Sequence, residues 1–318
     1  MLRYWALVAT VLALLGVATA IGQWLRKQES SRVDHRAVES FNARIRAWWF
    51  FAGVLALAFV SHGLTVLLFG GLAFWALREF ITLTPTRIGD HRSLFWVFLF
   101  FTPMQFFLVW FDNYGLYSVM IPVYAFLFIA VRSAAAGDYD RFLERIAKVQ
   151  CGLMICVYCL SFAPALLYLK LKQPQGVEDA YLQNRTLFFF ITIVLLADML
   201  EWAFSRIYGQ HIIAEKIDPT LSWEGVLASG VVTSVAGVLL NWATPFTHWW
   251  QTAAMSLVIA VMAAAGSLTM AAIKRDRGEL MTGNFVEGHG GVLSRIDSIC
   301  FAAPVFYHVS RYFFAAAS

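Results

Sequence analysis

Between Gly266 and Ser298 the chain reads GSLTMAAIKRDRGELMTGNFVEGHGGVLSRIDS. An apolar run stops at Ile273, and Lys274-Arg275-Asp276-Arg277 follows at once. A glycine-dotted loop then leads to Gly288-His289-Gly290-Gly291 and to Ser294-Arg295-Ile296-Asp297. Cations closing a bilayer-length helix, beside open backbone amides and a histidine, are the parts of a phosphate receptor at a membrane surface. A second group lies upstream. Asp198 and Glu201 interrupt the apolar run Leu187–Phe204, and their spacing of three puts both carboxylates on one helix face. An ionised group at that depth is costly and normally faces a bundle interior or water, which makes it a functional candidate. Asp198 is read as functional; Glu201 fits a site or a merely interfacial position equally.

The first stretch resembles the C-terminal signature of integral-membrane phosphatidate cytidylyltransferases, approximately G-D-x-x-x-S-x-x-K-R, a K-D pair, then P-G-H-G-G-x-x-D-R-x-D. Gly266, Lys274, Arg275, Gly288 to Gly291, Arg295 and Asp297 match it in order. Ser267 stands where the family has the aspartate of G-D, and Ser294 where it has the first aspartate of D-R-x-D. Leu280-Met281 replace K-D, and Glu287 replaces the proline. The second stretch is similar to another family block, in which an aspartate-bearing helix leads through a glycine-spaced lysine into S-P-x-K-T-x-E-G. Asp198, Gly209, Lys216, Pro219, Glu224 and Gly225 match, with Ser222 standing for the threonine, Asp218 for the serine and Leu221 for the lysine. Arg44–Trp49 and Leu77-Arg78-Glu79-Phe80 are more weakly similar to early segments of bacterial members.

The resemblance implies an enzyme that joins a lipid phosphate to the α-phosphoryl group of CTP and releases pyrophosphate, with phosphatidate and CTP as substrates. It implies catalytic roles for Asp198, Lys274, His289 and Asp297. Phosphate binding falls to Ser222, Arg275, Gly288, Gly290, Gly291 and Arg295. It also implies Mg²⁺ held by Asp198 and Asp297, and a homodimer. A serine in place of an aspartate ligand offers a neutral oxygen, so Ser267 and Ser294 predict weaker Mg²⁺ binding. A family member that binds lipid or regulates without turnover therefore stays open, as does a site rebuilt around Glu201, Asp276 or Glu279. A transporter has only Asp198 and Glu201 in its favour.

Plainer readings stand beside these. Lys274, Arg275 and Arg277 suit a helix C-terminus through the helix dipole and snorkelling alone. Asp218 or Ser222 suits an N-cap, and Arg295 with Asp297 makes an ordinary surface pair.

The elements that must position these groups are membrane helices. The chain has 318 residues, of which 60% are hydrophobic and 14% charged, with a mean hydropathy of +0.66. That composition excludes a soluble domain and predicts a single all-α polytopic membrane domain, with N-terminal spans in 1–170 and the site-bearing spans in 187–314. Ten apolar segments are predicted: Tyr4–Gly22, Trp48–Ser61, Leu64–Leu77, Leu94–Phe111, Gly115–Val131, Val149–Leu169, Leu187–Phe204, Gly225–Trp242, Thr252–Ile273 and Ser298–Phe314. The first is read as a retained helix rather than a cleaved signal. His62-Gly63 is read as a tight hairpin or re-entrant bend, and Arg132–Lys148 as a short amphipathic surface helix.

Basic residues gather in Gln23–Arg46, Arg78–Arg92, Arg132–Lys148, Ser205–Glu224 and Lys274–Arg295. Ten spans put all five loops on one side, which the positive-inside rule makes cytoplasmic, in a bacterial inner membrane. The net charge of +4 is thus a matter of topology, and no nucleic-acid partner is expected. Trp48, Trp49, Trp75, Trp110, Trp242, Trp249 and Trp250 fall at predicted span ends, as an interfacial belt requires. Cys151, Cys156, Cys159 and Cys300 lie in apolar runs and are read as packing residues, and the sequon at Asn184 as fortuitous.

Overall fold

The computed structural model describes residues 61–83, 90–172, 181–278 and 291–315, with scattered positions before 61. The chain divides into two compact units, Met1–Val60 and Ser61–Ser318. In the first, Trp49 Nε1 donates to Thr19 Oγ1 at 3.0 Å and Ile45 is buried. Of the predicted segments Tyr4–Gly22 and Trp48–Ser61 a few positions are described as helical, Gly16, Ala20, Ala52 and Ala56 among them, and the rest lie mostly outside the described residues.

The second unit is a helical bundle. Its helices are α1 (His62–Thr82), α2 (His91–Trp110), α3 (Tyr114–Ala134), α4 (Phe142–Ala165) and α5 (Leu182–Tyr208). They are followed by α6 (Trp223–Leu239), α7 (Trp249–Asp276) and α8 (Leu293–Phe314). Six of them, α1 to α5 and α7, are long and apolar enough to cross a membrane. The last eight predicted segments correspond to α1 to α8. Helix α6 has only 17 residues, whereas α8 has 22 and carries Arg295, Asp297, His308 and Arg311.

Two expectations change. His62 and Gly63 are the first residues of α1, with Ser61 Oγ accepting from Leu64 N at 3.4 Å, so any turn lies before them, outside the described residues. The Trp110 ring lies against Gly63, where a Cβ would come within 2.7 Å of it. The amphipathic stretch beginning at Phe142 is also no separate surface helix. It forms the first turns of α4, because the charged face of 142–148 runs in phase into the apolar run behind it.

Helices α2, α3 and α4 each contain a wide, π-helical stretch, at Val97–Phe101, Met120–Ala125 and Leu153–Cys159. Such a stretch breaks the regular ladder, and lipid offers no water to satisfy what is left over. Two glutamines answer this around Pro122. Gln105 Nε2 donates to Tyr117 O at 2.9 Å, and Gln150 Nε2 donates to Ile121 O at 3.2 Å.

Helix α5 packs on α6, α7 and α8, and Phe188–Ile191, Ile193 and Val194 in it are buried. Phe189 and Phe190 stack near Phe306 of α8, with Phe246 beside them. Lipid tails are as apolar as these side chains, so close packing and polar contacts, rather than expulsion from water, hold the helices together. The buried Tyr117–Tyr307 hydroxyl pair at 2.6 Å joins α3 to α8 in this way.

Four of the predicted basic loops meet at one end of the unit. Arg145, buried at the start of α4, lies 3.1 Å from Asp90 Oδ1 and 2.7 Å from Asp138 Oδ2. It also donates to the carbonyls of Asp140 at 2.8 Å and Asp138 at 3.0 Å. Arg275 reaches the loop after α5, and Glu79 reaches the start of α8. At the opposite end Arg185 donates to Trp242 O, Lys172 N donates to Phe314 O, and Arg311 lies over the Tyr114 ring. Trp110, Trp242, Trp249 and Trp250 are exposed there, as an aromatic belt requires. Asn184 is buried inside α5 and bonds His62, so its sequon is not on a loop.

Candidate active site

The second sequence block folds into a hydroxyl relay at the end of α5. Glu201 is buried, and its Oε1 accepts from Ser205 Oγ at 2.8 Å. Ser205 Oγ accepts from the backbone N–H and the hydroxyl of Ser222, both at 3.2 Å. Ser222 Oγ in turn accepts from Gly225 N at 3.1 Å and so caps α6. Each hydroxyl spends its single proton, and the carboxylate at the end supplies only acceptors. Ser222, expected at substrate phosphate, is therefore placed as a buried N-cap. Ser205, which sequence reasoning missed, is the relay's centre; its spacing of four from Glu201 was the available signal.

Gly225 is needed for this closeness. A Cβ there would collide with Ser205 Oγ and lie 2.8 Å from both Ser205 Cβ and Ser205 N, which no rotation relieves. Gly225→Ala is expected to lower stability by about 1–3 kcal/mol, read as reduced resistance to unfolding in detergent micelles.

Between α5 and α6 the chain forms a two-stranded antiparallel hairpin, β1 (Ile212–Ala214) with β2 (Asp218–Ser222), pairing Ile212 with Ser222 and Ala214 with Asp218. It lies between the helices rather than within a span, so its open edges do not violate the rule for lipid. Asp218 Oδ1 accepts from the backbone and hydroxyl of Thr220 at 2.8 and 2.6 Å, shaping the turn into β2 instead of capping α6. Glu224 clamps the front of the hairpin. Its carboxylate meets His211 Nδ1 at 2.5 Å and accepts from Gln210 N and His211 N at 3.2 Å. These bonds, the His211 side chain first, hold the exposed Glu224 carboxyl down at about 2.

The first block is built at the α7–α8 seam. Gly266 lets the backbones approach: a Cβ there would sit 2.8 Å from Asp297 O and 3.1 Å from Phe301 Cβ. Ser267 Oγ and Ser298 Oγ consequently stand 3.3 Å apart. Two turns along, Lys274 Nζ donates to Ser294 Oγ at 2.8 Å. Asp297 is buried, and its Oδ1 accepts from Ser298 N at 2.8 Å. Arg295 is half-buried in the first turns of α8. Helix α7 ends beyond Lys274, with Arg277 as C-cap and Gly278 in the left-handed conformation (φ 71°) that glycine adopts without strain.

The two blocks meet where Arg275 Nε donates to the hairpin carbonyl of Ile217 at 3.1 Å. Asp198, half-buried on α5, lies ten residues before the helix ends at Tyr208, about 15 Å along the axis. Helix α5 packs on both α7 and α8. Gly291 is buried, whereas Gly288, His289 and Gly290 lie outside the described residues, as do Glu279 and Leu280-Met281. The four cysteines carry free thiols, with Cys156 and Cys300 fully buried, in keeping with packing roles.

At Ser267 and Ser294 the seam does not suit Mg²⁺. Both offer neutral hydroxyls, and an ammonium already sits 2.8 Å from Ser294 Oγ. Among the described residues no group of three His, Cys, Asp or Glu side chains converges as a metal site. Asp198 and Asp297 are the signature carboxylates that remain. What the arrangement can do without a metal is hold an anion, using Lys274 with Arg275 and Arg295 nearby, at the end of the unit where the basic loops gather.

The cytidylyltransferase family matches residues 42–313. Over 307 residues the chain is 30% identical to the uncharacterized protein YnbB of Escherichia coli (strain K12), covering 96% of this chain and 97% of that protein. A phosphatidate cytidylyltransferase of Haemophilus influenzae is 30% identical over 152 residues, 46% of this chain and 52% of the relative. That of Synechocystis sp. is 37% identical over 113 residues, 35% and 38% respectively. The chain thus spans about half or less of these two named enzymes. A match running from before α1 nearly to the end of α8 takes in both polar blocks and the helices that join them, and on that ground this all-α membrane protein belongs to the cytidylyltransferase family.

Proposed function

We propose that the protein is a membrane cytidylyltransferase of the phosphatidate type, in which an oxygen of a lipid phosphate attacks the α-phosphorus of CTP and pyrophosphate leaves. Two anions must be brought together, so the chemistry depends on positioning and on fixed positive charge at the reacting centre. Lys274 at the seam carries this reading. Its ammonium is half-buried, is oriented by Ser294, and stands at the membrane end where four basic loops converge. Arg275, Arg295 and the Gly288–Gly291 loop would receive the remaining phosphate oxygens, with His289 donating to a phosphoryl oxygen or passing a proton. Asp198 and Asp297 would orient the reactants and would meet any Mg²⁺ that arrives with the nucleotide. The basic end faces the cytoplasm in this reading, where CTP is found.

The test is conversion of labelled CTP to a CDP-lipid by the purified protein in phosphatidate micelles, with Mg²⁺ added or chelated. Loss of product in both conditions, with lipid binding intact, would defeat the proposal. A second reading, lipid binding without turnover, is favoured by the neutral hydroxyls at Ser267 and Ser294. It requires that Ser267→Asp with Ser294→Asp create activity absent from the parent; an active parent disposes of it.

A further inference from the structure

The last helix begins at the site and has no cap of its own. Its N-cap is Val292, whose side chain has no acceptor to offer the first-turn amides, and among the described residues no side chain nearby in sequence supplies one. The acceptor comes instead from the far side of the sequence. Glu79, near the end of α1, accepts from Val292 N at 3.0 Å through Oε1 and from Leu293 N at 2.9 Å through Oε2. The carboxylate is 6% exposed and 213 residues before the first amide it holds. A bidentate, charge-assisted contact to a helix N-terminus is the strongest arrangement available to a carboxylate there.

Three consequences follow from where this clamp sits. The amides it occupies are not open to a phosphate, so any substrate oxygen must be met by Lys274, the neighbouring arginines or amides further upstream. The clamp also sets the position of the first turns of α8, and with it Ser294, the hydroxyl that orients Lys274. Asp297, one turn further, is carried by the same turns.

We propose that Glu79 is a positioning residue of the candidate site, fixing the start of α8 so that Ser294 meets Lys274 and Asp297 keeps its place at the seam. This rests on the cytidylyltransferase reading. Glu79→Gln keeps the shape and one acceptor but sets its NH₂ against the second amide.

In the full-length protein in micelles, hydrogen exchange at 292–298 is expected to quicken at least tenfold in Glu79→Gln. Exchange at 303–312, the far end of α8, should stay unchanged. In the same variant kcat/KM for CTP should fall at least tenfold with KM for phosphatidate unaltered. Glu79→Asp, which keeps the charge, should recover part of both losses. Equal quickening at both ends of α8 would mark a general loss of stability and overturn the proposal, as would unchanged CTP kinetics. A parent that neither binds nor consumes CTP overturns the cytidylyltransferase reading. A parent that consumes CTP and is matched by Glu79→Gln overturns only the role of Glu79.

Discussion

Replacing Lys274 with methionine is expected to lower CTP-dependent turnover of phosphatidate by ~10²–10³-fold, the usual effect of deleting one preorganised donor from a site of developing negative charge. Methionine keeps much of the length and apolar stem, so the α7–α8 packing should survive. What disappears is the ammonium that donates to Ser294 Oγ at 2.8 Å. Ser294 is half-buried and can turn to water, so little stability should be lost with the bond. The fall should appear in kcat and in kcat/KM together, because the charge to be stabilised is largest in the transition state. A variant with full kcat and only a raised KM would make Lys274 a ground-state anchor and would remove the main support for catalysis at the seam.

Arg145→Ala should have the largest effect on stability, about 3–5 kcal/mol, since it takes the guanidinium away from the buried Asp90 carboxylate. The guanidinium also holds the carbonyls of Asp138 and Asp140, so the loop before α4 would loosen with it. Measured as unfolding in detergent micelles, the double change Arg145→Met with Asp90→Asn should be milder than Arg145→Ala alone. Removing both charges ends the desolvation cost that one leaves behind. Equal losses in the two variants would mean that packing, not charge, governs this corner.

The bundle was legible wherever apolar runs end in a recognisable stop. Helix α7 opens on Trp249-Trp250 and closes on Lys274-Arg275 and Gly278, so its course and its role as carrier of the cations could both be read. The shared end of the basic loops was legible from charge alone. The split of Arg132–Lys148 between the end of α3 and the start of α4 was missed, although nothing between Lys148 and Gly152 breaks the helical phase. Ser222 shows the limit at the site. Its residue type fits both phosphate binding and capping, and only the position of Gly225 N separates them. Glu79 was harder still, since an acidic residue late in an apolar run signals a partner without saying which of some two hundred later residues supplies it.

That separation bears on how the protein is made. During synthesis Glu79 leaves the ribosome long before Val292, and at 5–20 residues per second the interval of 213 residues is roughly 10–40 s. Throughout it a carboxylate destined for burial has no amides to hold, so the end of α1 must stay in reach of water near the membrane surface. Closure of the first described span onto the last is therefore a post-translational event, and a nascent chain halted before Gly291 should remain an open, protease-sensitive assembly.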